Sequence, residues 1–279
     1  MPIQPAQTLH EDPDSLPPAG DGLSLPRAWA LVPALALGCL AAAVWASGRN
    51  TALFQGLNAA ASGLPAVLWA MLTVCGSVLG AIALLAPTLK TQPRWLASAF
   101  LAAPLAVLFS EGSKRYFDVL RPAGVLAADS FNLIGQKLYV HAFPSGHSTT
   151  AFVAAAAIVL AWPQAGRRHR AGLLVLGVAG LVAFSRIAVG AHWPLDVLTG
   201  ATGGWLCGAW GVWLSARLRF WEGPGGVRAM ATVALATSLA LLFVDAGQPD
   251  VRLFRIGLAA WGIGGAAAAL MQGREDFQQ

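Results

Sequence analysis

Residues 171–216 read AGLLVLGVAGLVAFSRIAVGAHWPLDVLTGATGGWLCGAWGVWLSA. The stretch holds two apolar runs, 171–189 and 194–216. Each is close to the roughly 20 residues an α-helix needs to cross the hydrocarbon core of a bilayer. Between them stands a polar turn carrying Ser185, Arg186, His192 and Asp196. Pro194 suits the first turn of a helix and marks where the second run starts. The stretch therefore reads as a membrane hairpin with ionisable groups gathered at one end.

The pattern repeats on either side. Further apolar runs at 29–47, 64–86, 95–112, 144–162, 229–244 and 253–271 bring the expected spans to eight, the seventh being the shortest. The expected fold is all-α, a polytopic transmembrane helical bundle. Composition agrees, with 56% hydrophobic and 11% charged residues over 279 positions, against about 25% charged in a soluble domain. Mean hydropathy is +0.61. Frequent Gly and Ala suit close helix packing in lipid. Trp29, Trp45, Trp95, Trp162, Trp193 and Trp221 fall near expected helix ends, as in an aromatic belt.

Residues 1–28 are polar, Pro-rich and mildly acidic (Glu11, Asp12, Asp14, Asp21) and read as a disordered cytoplasmic tail. Apart from Arg27 this tail lacks the basic stretch of a cleaved signal, so the run 29–47 is expected to be a retained span. Residues 273–279 read as a C-terminal tail. Cys39, Cys75 and Cys207 lie inside apolar runs, with neither disulfide nor metal spacing.

The net charge is +5 and the pI about 9.6. The basic residues cluster in short connections: Lys90 and Arg94; Arg167, Arg168, His169 and Arg170; Arg217, Arg219 and Arg228. That distribution sets membrane orientation, placing these connections and both termini in the cytoplasm. No nucleic-acid recognition motif accompanies the charge, so no nucleic-acid partner is expected. The connection between the third and fourth spans is basic yet assigned outside, and its residues explain why.

Three segments put polar residues at helix ends. Lys114-Arg-Tyr-Phe-Asp-Val-Leu-Arg121-Pro122 follows the third span, Pro144-Ser145-Gly146-His147 opens the fourth, and Ser185-Arg186 to His192 and Asp196 joins the fifth and sixth. Alternation of the spans brings all three to one face. Lys114, Arg121 and Arg186 then stand opposite His147, His192 and Asp196, an arrangement suited to an anion. An arginine fork grips two phosphate oxygens and lysine adds a point charge. Ser145 is a good N-cap, and Gly146 lets a ligand approach the positive helix end. His192 and Asp196, four apart, share a face if the turn is helical. The carboxylate then orients the imidazole as a nucleophile.

Lys-x6-Arg-Pro, Pro-Ser-Gly-His and Ser-Arg-x5-His-x3-Asp, in this order, resemble the signature of the type-2 phosphatidic acid phosphatase superfamily over roughly residues 95–216. The resemblance implies a six-helix core, here 29–216, with 217–272 adding two C-terminal transmembrane helices of unassigned role. It implies that His192 attacks phosphorus to form a phosphohistidine and that Asp196 orients it. His147 protonates the leaving oxygen and then activates water. Lys114, Arg121, Ser145, Gly146 and Arg186 hold the phosphate. It implies no metal or other cofactor, and the sequence lacks a carboxylate cluster suited to Mg²⁺. The family's vanadate-binding haloperoxidase relatives are soluble, unlike this chain.

The expected function is hydrolysis of a lipid phosphate or pyrophosphate (undecaprenyl pyrophosphate, phosphatidic acid or phosphatidylglycerol phosphate) on the extracytoplasmic side of the cell (inner) membrane. A lipid-to-lipid phosphotransferase and a lipid A phosphatase share the signature. A non-catalytic transporter or scaffold for anionic lipid needs no His192–Asp196 pair facing His147. Tyr116, Phe117 and Phe143 are candidates for lining the approach of an acyl chain, and residues 115–143 for an interfacial helix over the site.

Overall fold

The computed structural model describes residues 26–163, 165–245 and 247–275. Most of the expected N-terminal tail and residues 276–279 lie outside them. All regular structure among the described residues is helical: α1 (Arg27–Ser47), α2 (Asn50–Ala61), α3 (Ala66–Gly76), α4 (Val78–Leu85), α5 (Pro93–Phe117), α6 (Pro122–Val125), α7 (Gly146–Leu160), α8 (Ala165–Ala188), α9 (Pro194–Ser215), α10 (Pro224–Ala240) and α11 (Arg252–Glu275).

Among the described residues four helices are long and apolar enough to cross a membrane, within Arg27–Ser47, Pro93–Val125, Arg168–Ala188 and Arg252–Gln272. A fifth span results if α2 and α3, bent by 118°, count as one. The expected single span 64–86 is broken at Ser77, whose Oγ accepts from the Gly80 amide at 3.0 Å and caps α4. The expected connection 48–63 is instead mostly α2. At 15 residues, α7 is about 22 Å long, somewhat shorter than the span expected at 144–162.

α9 is the central element. Its Gly200, Gly204 and Gly208, spaced four apart on one face, lie on α7, where a Cβ would meet the carbonyls of Ser145, Thr149 and Val153. Gly211 faces the Ser98 carbonyl of α5 in the same way. Small residues thus let three backbones approach closely. Trp205, fully buried, donates from Nε1 to the Ala30 carbonyl of α1 at 3.0 Å. Phe152, Leu160, Trp193 and Val197 join Phe54 and Ile187 in the main core.

α10 and α11 pack on the other flank. Met230, Ala231, Ala234, Ala266 and Ala269 share a core with Leu85, Leu89 and Leu96, and Leu241, Val251 and Leu258 with Ala70 and Val74. Chain direction sorts the bundle into two ends. The ends of α1, α5, α8 and α10 lie with the starts of α7, α9 and α11. Lys90, Arg168, Arg170, Arg217, Arg219 and Arg228 belong to the opposite end.

Residues 118–143 hold a single helical turn, α6, in place of the expected interfacial helix. Their backbone groups are taken by non-helical partners: Arg121 N on Tyr139 O at 2.8 Å, Ala142 N on Val119 O at 2.8 Å, and Ile134 N on Val189 O at 3.1 Å.

Candidate active site

The structure brings all eight sequence-predicted residues to one end of the bundle. Lys114 closes α5 and Arg121 precedes α6. Ser145, Gly146 and His147 open α7, Arg186 ends α8, and His192 and Asp196 straddle the start of α9.

The turn between α8 and α9 is built from the backbone. The Arg186 carbonyl accepts from the amides of Ala191 at 3.0 Å and His192 at 3.1 Å. Gly190 is left-handed (φ 77°), and a Cβ there would strike the Asn132 carbonyl at 2.6 Å. Asp196 Oδ2 accepts from the Trp193 amide at 2.9 Å, capping α9, and stands 3.3 Å from His192 Nδ1. One carboxylate oxygen thus both starts the helix and orients the imidazole. Ser145 N donates to the Asp196 carbonyl at 3.0 Å, tying the start of α7 to the start of α9.

Arg121 is buried and almost fully satisfied. Nε donates to Val140 O at 2.8 Å, Nη2 to His141 O at 3.2 Å, and Nη1 to both Ala191 O and His192 Nε2 at 3.0 Å. A guanidinium can only donate, so His192 Nε2 accepts and the ring proton sits on Nδ1, toward Asp196. Burial first, then the charges of Arg121, Arg186, His147 and Lys114, hold this imidazole well below its ordinary range. Both rings of the site are thereby kept apart in role: His192 offers a lone pair, while His147 Nε2, buried, has no partner.

Arg186 is 4% exposed, and its Nε and Nη1 have no hydrogen-bond partner. Ser110 Oγ is likewise buried and unpartnered. Buried donors are rarely left unpaired. His147 and Arg186 line one cavity of about 280 Å³; His147, Ser110 and Gly146 line another of about 310 Å³. Lys114 pairs with Glu111 at 2.6 Å. Its Nζ lies 3.4 Å from where a Gly146 Cβ would be, so the missing side chain lets the ammonium reach the start of α7. Ser145 is a buried N-cap whose Oγ accepts from Ser148 Oγ at 3.0 Å and Ser148 N at 3.4 Å. A third cavity, about 470 Å³, borders Lys114 and Arg121.

The 310 Å³ cavity is apolar and runs between α4, α5 and α7. Its α5 wall extends from Glu111 to Leu96, about 22 Å of helix. Tyr116, Phe117 and Phe143 are not part of it. They contact each other edge to face instead, with centroids at 4.9 and 5.2 Å.

Sequence reasoning missed the braces. Asn58, 1% exposed, donates to the carbonyls of Asn132, Ile187 and Ala188 and accepts from the Asn132 amide at 2.7 Å. Asn50 Oδ1 accepts from Leu195 N at 3.1 Å at the start of α9. Their available signal was two asparagines eight apart in an apolar helix. Among the described residues no group of three or more His, Cys, Asp or Glu is placed to hold a metal ion.

Residues 95–220 match the PAP2 superfamily. The chain is 33% identical over 116 residues to an undecaprenyl-diphosphatase of Sulfolobus acidocaldarius, covering 41% of this chain and 50% of that protein. It is 42% identical over 77 residues to a lipid A 1-phosphatase of Rhizobium etli, covering 27% and 31% respectively. The chain thus spans half or less of the length of these relatives. The crystal structure of Aquifex aeolicus LpxE superposes with a TM-score of 0.52 at 28% identity, covering 58% of this chain and 93% of that one.

Proposed function

We propose, from the premise that this chain carries a PAP2 superfamily domain over residues 95–220, that it is a membrane phosphatase. Its substrate is a lipid phosphate or diphosphate, hydrolysed through a phosphohistidine. The observation that carries this reading is the convergence of three things at one end of the bundle. His147 Nε2 and Arg186 Nε and Nη1, buried and unpartnered, border one cavity; His147 also heads the apolar cavity of about 310 Å³; and the His192–Asp196 pair opens α9 at the same end of the bundle. An anion satisfies the donors, and a lipid tail fills the cavity.

In the first step the His192 Nε2 lone pair attacks phosphorus, the N–P bond forms and the P–O bond to the lipid breaks. The electron pair leaves on the lipid oxygen, which takes a proton from His147. In the second, His147 takes a proton from water, the oxygen attacks phosphorus and the N–P bond breaks, releasing inorganic phosphate. Arg121 must yield Nε2 for the attack. Its carbonyl partners hold it within reach to grip the phosphate oxygens together with Arg186, Lys114, Ser145 and the Gly146 amide, which stabilises the charge of the transition state. Asp196 holds the ring in the required tautomer.

The basic connections at the opposite end support a site facing the extracytoplasmic side, with cytoplasmic termini. Residues 29–216 form the catalytic core, and α10 and α11 are an addition to it. The test is phosphate release by detergent-purified protein, with EDTA present, from undecaprenyl pyrophosphate, phosphatidic acid, phosphatidylglycerol phosphate and lipid A. Release that disappears in His192→Ala supports the reading; no release from any of the four removes it.

A further inference from the structure

Glu111 is an acid in a site built for an anion. It precedes Lys114 by one turn of α5, and its Oε1 accepts from Lys114 Nζ at 2.6 Å. Glu111 borders the apolar cavity of about 310 Å³, with His147, Ser110 and Gly146. It also borders the cavity of about 470 Å³, with Lys114, Arg121 and His141. Among the described residues it is the one carboxylate lining either of them or the cavity of about 280 Å³ that His147 and Arg186 share. The ion pair is uneven: the lysine side chain is 17% exposed and the glutamate 54%.

Two demands therefore fall on Lys114. With no phosphate present, its ammonium is held by Glu111. Its Nζ and the buried, unpartnered Oγ of Ser110 both lie 3.4 Å from where a Gly146 Cβ would stand. The ammonium thus already reaches the start of α7, where a phosphate is favoured. An ammonium has three donors and can be shared between two acceptors. Two hydrogen bonds to one Nζ place phosphate oxygens within about 6 Å of the carboxylate. Like charges at that separation repel, moderately because Glu111 is half exposed. The repulsion has a use. Lys114, Arg121 and Arg186 hold phosphate tightly, inorganic phosphate is left in the same place by the second step, and turnover needs it to leave.

We propose that Glu111 is a positioning residue that acts through Lys114. It holds the ammonium in the empty site, yields it to the phosphate of the substrate and takes it back as inorganic phosphate departs. Its charge thereby limits the affinity for product. The proposal rests on the phosphatase reading above. Glu111 makes and breaks no covalent bond; the acceptor for Lys114 changes from carboxylate to phosphate oxygen and back.

The test measures inhibition by inorganic phosphate during lipid hydrolysis by the full-length protein in detergent. Beside it runs the rise in melting temperature that inorganic phosphate produces, which needs no turnover. Glu111→Gln keeps the size of the side chain and removes its charge. It should tighten phosphate inhibition about fivefold, the upper range for an exposed charge pair. It should also enlarge the thermal shift and lower kcat, as product leaves more slowly. Lys114→Met added to Glu111→Gln should abolish the gain. If Glu111→Gln does not fold, Glu111→Ala at this half-exposed position gives the same readouts. Weaker phosphate inhibition with a smaller thermal shift would make the carboxylate a prop for Lys114. That result, or an unchanged inhibition constant, overturns the proposal and leaves the phosphatase reading standing. No release by the parent from any of the four lipids overturns both.

Discussion

Arg121 Nη1 lies 3.0 Å from His192 Nε2. The nitrogen proposed to attack phosphorus is therefore an acceptor already facing a cation, and the ring proton points toward Asp196 at 3.3 Å. That distance is long for such a bond, as catalytic hydrogen bonds without substrate often are. Phosphate oxygens arriving between Arg121 and His192 would replace a ring nitrogen as the acceptor for Nη1.

The ring of His192 is expected to be neutral, with the proton on Nδ1, at pH 6. Its pKa is lowered by burial and neighbouring cations, so protonation occurs only below the ordinary value of about 6.5. ¹⁵N NMR of the labelled protein checks this. A ring protonated on both nitrogens at pH 6 would refute the tautomer and the electrostatics behind it.

His192→Ala and Asp196→Asn should each reduce phosphate release on the order of 10⁴-fold, as removal of a nucleophile or its orienting carboxylate does elsewhere. Thermal unfolding of His192→Ala should stay near that of the parent. A collapse in stability would show the pair to be structural.

Arg186→Lys should lower kcat/KM by about 10²-fold, since an ammonium cannot replace the two unpartnered N–H groups Nε and Nη1. Full activity would exclude Arg186 from the phosphate clamp.

Gly146→Ala and Gly204→Ala should separate chemistry from packing. The first puts a methyl 3.4 Å from Lys114 Nζ and Ser110 Oγ, and displacing a flexible ammonium should raise KM with little change in melting temperature. The second drives a methyl into the Thr149 carbonyl of α7 and should cost about 1–3 kcal/mol of stability. Equal thermal shifts in the two variants would contradict this division.

Asn58→Ala leaves the Asn132 amide without its side-chain acceptor and removes a donor from the Ile187 and Ala188 carbonyls, the first of which keeps the Gly190 amide. A loss of about 2 kcal/mol or more is expected in denaturant unfolding, with lower activity because the 187–192 turn loses its brace. An unchanged midpoint would mean water replaces the amide.

The membrane bundle was legible because each run of apolar residues has to satisfy its own backbone hydrogen bonds in lipid, which leaves a helix as the local answer. The candidate site was legible as a cluster too. Lys114, Arg121, His147, Arg186, His192 and Asp196 stand at helix ends where charge is costly unless used, and alternation of the helices puts those ends together. These conclusions depend on local periodicity and parity, which a single chain displays without its partners.

Other features depend on contacts between segments far apart in the chain. The break at Ser77, the helix 50–61 and the carbonyl-held pose of Arg121 have no local periodic signal. Asn58 is an isolated polar residue until residues 132, 187 and 188 arrive around it. Gly135 is an ordinary loop glycine until the 247–248 backbone is laid against it. The sequence by itself determined which residues carry the charge and that they share one end of a helical membrane bundle. Only the tertiary structure decided which donors are left buried without a partner and that the connection between α10 and α11 lines a cavity with His147 and Arg186. Desolvation and backbone contact are properties of the packed whole, and no spacing along the chain encodes them.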